Sequence, residues 1–228
     1  MIKAKWLYSE LPITLIELSR LMREQQYSEE TGLGFLLSAS TPSKLSGKYV
    51  EKQVQRSVVE DPFGEVTEIE SVTYYTCQFN WSSSSKYMYI TNPPRSLRKF
   101  LNKLHDLTGL GLVLSEVNVA PERWVDYLER SADSLKVTQL SSYGIRISQG
   151  ATAKVTVNGI KDIRDDFTTI ISDKRYLVDS VKFKAEFGNL ELLCELTRLG
   201  VCRLKSANVN FVLDKLREAL EGHAEPSS

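Results

Sequence analysis

Two long runs of strand-forming residues flanking a tight-turn tetrapeptide constrain the fold more than anything else in this chain. Lys48 to Glu60 and Glu65 to Trp81 are rich in Val, Thr, Tyr and Ile. Between them, Asp61-Pro62-Phe63-Gly64 has the residues of a reverse turn. Tyr75, Cys77, Phe79 and Trp81 alternate along the second run, which puts them on one face and predicts a core-facing side. Ser82 to Ser85 reads as a polar turn, and Lys86 to Thr91 as a third, returning strand. A meander of this length needs a helix to cover its apolar face.

Candidate covering helices carry their own signals. Residues 2–8 read as a strand, and Pro12 to Gln26 as a helix with Leu11, Leu15, Leu18 and Met22 at helical spacing. A second helix starts near Pro94. Each is followed by nearly the same octapeptide, Thr31-Gly-Leu-Gly-Phe-Leu-Leu-Ser38 and Thr108-Gly-Leu-Gly-Leu-Val-Leu-Ser115, which reads as a repeated helix–turn–strand unit. Gly32 and Gly109 are expected to cap those helices with positive φ.

After Val119 the pattern begins again. Ala120-Pro121-Glu122 opens a helix, short strands are expected at 143–148 and 152–158, and Lys161 to Ile171 reads as a helix. Tyr176 to Phe187 and Leu190 to Leu199 form a hairpin across Gly188-Asn189. Asn208 to Leu220 closes the chain as an amphipathic helix with Ser206 or Asn208 as its cap. The expected class is α+β, antiparallel meander sheets covered by amphipathic helices. The expected division is an N-terminal domain of residues 1–118, a C-terminal domain of 119–221 and a tail of 222–228.

Composition bounds the function. Twenty-nine Lys and Arg balance 29 Asp and Glu, so no global charge draws the chain to nucleic acid or membrane, and any such partner must be read from local charge. No signal peptide is expected, nor any apolar run long enough to span a bilayer. Cys77, Cys194 and Cys202 are an odd number in apolar strand-like runs, which predicts buried thiols and a cytoplasmic protein without a membrane partner.

Catalytic groups are sparse. The only histidines are His105, on the charged side of a helix, and His223, in the tail. Neither supports a Ser-His-Asp or Cys-His arrangement, and phosphate-binding glycine loops are missing. Glu60, Asp61, Glu65, Glu68 and Glu70, and then Asp162, Asp165 and Asp166, form acidic clusters that read as solvated faces. A metal-dependent nuclease would need them to converge on an ion. No catalytic residue, metal site or cofactor is therefore assigned, and the chain is read as a non-enzyme.

Local charge is more informative. Lys44, Lys48, Lys52 and Arg56 share one side of a strand, facing a partner strand with Glu65, Glu68 and Glu70, which predicts a salt-bridged hairpin. In the segment Arg95 to Leu104, the apolar Leu97, Phe100, Leu101 and Leu104 point inward. Arg95, Arg98, Lys99 and Lys103 then lie outward as a candidate site for a phosphate backbone. Cations near a helix start oppose the dipole, and this local conflict suggests an external anion. Lys182, Lys184, Arg203 and Lys205 form a second candidate set, with matched parity within each pair. The aromatic residues of 74–90 are expected in the core rather than as stacking platforms for bases.

The C-terminal block combines Ala153-Lys-Val-Thr-Val157, a helix over 161–171, and the hairpin strand Tyr-Leu-Val-Asp-Ser-Val-Lys-Phe-Lys-Ala-Glu-Phe at 176–187. This pattern resembles the C-terminal part of anti-phage and phage-exclusion proteins, namely the DNA-binding subunit of Kiwa-type defence systems and the lambda exclusion A protein. The resemblance implies a non-catalytic DNA-binding component of a bacterial defence or prophage locus. The alternative from the residues is a protein-interaction module: a subunit, inhibitor or immunity factor that meets a protein partner or forms a homo-oligomer.

Overall fold

The computed structural model describes residues 1–109, 111–172 and 174–222. His223 and the rest of the expected tail beyond Gly222 lie outside the described residues, as does Leu110 of the second octapeptide. Strand makes up 50% of the described residues and helix 23%, so the α+β class is sheet-dominated. The chain divides into two compact units. One comprises Glu10–Ser84 and Ile90–Val113, the other Met1–Ser9, Ser85–Tyr89 and Leu114–Ser228. The division is interleaved in sequence, in place of a single boundary near 118–122.

The first unit, called the ribbon unit below, holds α1 (Leu15–Glu24), β2 (Leu33–Ser40), β3 (Lys44–Glu60), β4 (Val66–Ser82) and α2 (Arg98–Thr108). Helix α1 starts three residues later than Pro12 suggests, because Thr14 and Glu17 close a capping box that satisfies the first free N–H groups. Strands β3 and β4 pair without a break from Lys44↔Ser82 to Glu60↔Val66. At the turn, Asp61 Oδ1 accepts from the amides of Phe63 and Glu65, at 2.8 and 2.9 Å. At the base of the hairpin Tyr49, Cys77, Phe79 and Trp81 are buried with Phe35 and Phe100, the Phe79 and Phe100 rings stacking at 5.4 Å. Of the aromatics of 74–90, Phe79 and Trp81 are core, as expected, whereas Tyr74, on the other face of β4, is 51% exposed.

The two glycine octapeptides fold alike in backbone sense only. Gly32, Gly34, Gly109 and Gly111 all have positive φ. Gly109 ends α2, its amide donating to the carbonyl of His105 at 2.8 Å. Gly32 does not cap α1: that helix ends at Glu24, and a separate turn carries the Gly32 amide to the Ser28 carbonyl. Gly34 is required by a close approach instead, since a Cβ there would sit 2.5 Å from the Tyr27 nitrogen.

The second unit, called the sheet unit, contains β1 (Ile2–Glu10), β5 (Tyr87–Thr91), β6 (Val113–Glu116), α3 (Pro121–Glu129), β7 (Ser134–Ser148), β8 (Ala151–Asn158), α4 (Arg164–Ile171), β9 (Leu177–Phe187), β10 (Leu190–Thr197), β11 (Val201–Ser206) and α5 (Val209–Glu221). Its strands run in the order β5-β1-β11-β10-β9-β7-β8, with β6 also on β1. Gly188 turns the expected β9–β10 hairpin with φ 58°. The expected strand at 143–148 extends back to Ser134, because Leu135, Val137 and Leu140 also face the core. Strand β11, not foreseen, continues the meander with Cys202 and Leu204 inward.

One face of this sheet is the core. Ala4, Trp6, Val137, Val181, Phe183, Leu192, Cys194, Leu196, Cys202 and Leu204 pack there with Trp124, Leu128, Phe167, Leu213 and Leu216 of the helices. Pro121 starts α3 and Asn208 caps α5 by accepting from the Phe211 amide at 3.1 Å. Because side chains alternate along a strand, the residues between the core positions stand on the opposite face. Lys136, Lys184, Leu193 and Lys205 are exposed there.

Candidate nucleic-acid interface

Strand register places the cations of the sheet unit. Lys3 pairs with Arg203, Arg203 with Glu195, Glu195 with Lys182, and Lys182 with Gln139. One step along the strands, Lys205 pairs with Leu193, Leu193 with Lys184, and Lys184 with Lys136. These two rows share the face opposite the core. Lys182, Lys184, Arg203 and Lys205, two separate pairs in the sequence, therefore join one surface, and register adds Lys3 and Lys136. Adjacent rows and strands set the backbone positions that carry them about 5 to 7 Å apart.

The electrostatics of the rows are uneven. Glu195 is the one carboxylate within them, and it accepts from Arg203 Nη1 at 3.0 Å. Arg203, expected as a free anion ligand, is thus largely neutralised by its cross-strand neighbour. Lys136 and Lys184 differ, because they stand directly opposite one another and neither makes an ion pair among the described residues. Like charges in that arrangement repel. Beyond them Glu186 and Glu191 form the acidic end of the face. No aromatic side chain stands in either row.

The other candidate set does not form a row. Arg95 precedes α2, whose first residue is Arg98. On the helix, Arg98 and Lys103 are about 140° apart. Lys99 is not uncompensated as its position in sequence suggested. Its ammonium bonds to Glu51 of β3 and lies 5.8 Å from the centroid of the Tyr75 ring. The Tyr75 hydroxyl in turn donates to the Ser96 carbonyl at 2.9 Å. Lys99 and Tyr75 thereby fasten the start of α2, which has no side-chain cap, to the β3–β4 face. Arg95, Arg98 and Lys103 make no ion pair among the described residues, but they belong to the ribbon unit, not to the sheet unit.

Other charged groups have structural partners. Arg56 pairs with Glu70 across β3–β4 at 3.1 Å, the one cross-strand ion pair of the expected salt-bridged hairpin among the described residues, whereas Lys52 meets Glu29, outside the hairpin, at 3.8 Å. Asp162 holds Arg164, which also grips Glu129 through two bonds of 2.7 Å. The Arg164 bonds hold the Glu129 carboxyl below the ordinary carboxylate range. Burial works against ionised Asp162, yet hydrogen bonds from Arg164 and Val137 leave it lowered as well. Among the described residues no three His, Cys, Asp or Glu are grouped to hold a metal ion.

The thiols are buried, as expected. Burial pushes Cys77 and Cys202 up to about 12, and raises Cys194 too. No helix among the described residues is long and apolar enough to cross a membrane. No protein-family model matches this chain, and no curated protein matches it.

Proposed function

We propose that the chain binds DNA through its phosphate backbone, on the open sheet face that carries Lys3, Lys136, Lys182, Lys184, Arg203 and Lys205. The observation that supports this reading best is the direct opposition of Lys136 and Lys184, with no carboxylate among the described residues bonded to either. A cross-strand pair of like charges costs stability. An external anion between the two ammoniums turns that cost into attraction.

The chemistry of the face favours a duplex backbone over a single strand. Single-strand binders stack bases on aromatic side chains, and the two rows offer none. Lysine heads on flexible stems suit phosphate contacts, which position a protein without reading sequence. The mechanism is counterion release from a flat cationic face, and the family resemblance adds the setting of a defence or prophage locus. Fluorescence anisotropy with a labelled duplex across a salt series tests the reading. Absence of binding at low salt contradicts it.

A protein-interaction role has its own support in the β3–β4 ribbon, whose outer half is exposed on both faces.

A further inference from the structure

From Gln53 to Thr73 the β3–β4 hairpin stands clear of the ribbon-unit core. Eight residues on each strand extend it by about 27 Å. It is fully paired to its tip, yet Val58, Phe63 and Val66 are 65%, 93% and 63% exposed. Val54, Ile69 and Val72 are also exposed. A two-stranded ribbon with both faces in water is marginally stable alone. Exposed apolar side chains rimmed by charge mark an interaction surface.

Charge selects the occupant. Between Gln53 and Thr73 there are five acids, Glu60, Asp61, Glu65, Glu68 and Glu70, and one base, Arg56, a net charge of −4. That excludes a nucleic-acid arm. It complements the sheet face already described, where Lys136, Lys182, Lys184 and Lys205 stand in the two rows, Glu195 is engaged by Arg203, and Glu186 and Glu191 lie at one end. That face also carries an exposed apolar residue, Leu193, beside Lys184 and Lys205.

We propose that the acidic ribbon of one molecule docks on the basic sheet face of a second copy, with Phe63 and Val66 meeting Leu193. The inference rests on the reading of that face as an anion site. The contact joins two different surfaces, so association is head-to-tail. DNA and a second copy then compete for the same lysines, and DNA releases the self-associated form.

Sedimentation velocity on the full chain, with two charge-reversed variants, tests this. Wild type is expected to self-associate at about 0.05 M salt and to weaken at least tenfold by about 0.5 M. Glu65→Lys/Glu68→Lys and Lys182→Glu/Lys184→Glu are each expected to be monomeric alone, and to associate when mixed. Phe63→Ser, at an open tip position, is expected to weaken association severalfold without altering the fold. A monomeric wild type at every concentration, or a mixture that stays monomeric, overturns the proposal. Anisotropy with a labelled duplex, using dilute Glu65→Lys/Glu68→Lys protein, separates the two readings. DNA binding without self-association leaves the DNA proposal standing alone, and charge-swapped association without DNA binding leaves only the contact between copies.

Discussion

Lys136 of β7 and Lys184 of β9 face each other across one rung of the sheet, with no carboxylate among the described residues bonded to either. Folding sets the two lysines on directly opposed backbone positions there. Substituting Lys184→Gln therefore has effects of opposite sign on stability and binding. Relief of the repulsion raises stability by about 0.2–1 kcal/mol. Loss of the cation weakens DNA binding severalfold. Chemical denaturation and anisotropy on the same preparation check the pair of signs.

Arg203 presents the converse case, since Glu195 already occupies its guanidinium at 3.0 Å. Arg203→Gln is expected to change DNA affinity less than Lys184→Gln. Glu195→Gln releases Arg203 and is expected to strengthen binding, with the salt slope steeper by about one. Equal losses from the two cation substitutions would argue against the assignment.

Lys99 acts within the protein. Its contacts to Glu51 and the Tyr75 ring are partly exposed, so Lys99→Ala is expected to lower stability by about 0.5–1.5 kcal/mol. The salt slope of DNA binding should not change. A fall in slope together with unchanged stability would place Lys99 at the interface after all.

The Arg164 cluster sets an acid limit. Glu129 and Asp162 have folded pKa values below their unfolded ones, so their contribution is present above about pH 4. It is lost as pH falls through the lowered folded values. With both carboxylates over 30% exposed, Arg164→Gln is expected to cost about 1–2 kcal/mol at neutral pH. It should also flatten the stability decline below pH 4. Urea midpoints across that range measure both.

Local chemistry was legible in the sequence and distant pairing was not. The Asp61 turn, the Gly188 hairpin, the Asn208 cap and the alternating Cys77, Phe79 and Trp81 each depend on neighbouring residues, and all fold as read. Gly32 was misread because its positive φ serves a turn after α1 instead of the helix end. Lys3 and Lys136 escaped notice because they join Arg203 and Lys184 only through strand register. Lys99 looked free because Glu51 lies 48 residues away. Strand β11 escaped because its short alternation follows directly on the β9–β10 hairpin.

The salt dependence of duplex binding tests the central claim most directly. Wild type is expected to bind at low salt with log K falling against log salt at a slope near −4, as for about four to five phosphate contacts. Lys136→Gln/Lys184→Gln is expected to lose about two of those units. A wild type that binds no duplex at low salt, or a variant with an unchanged slope, would contradict the proposed role of the open sheet face.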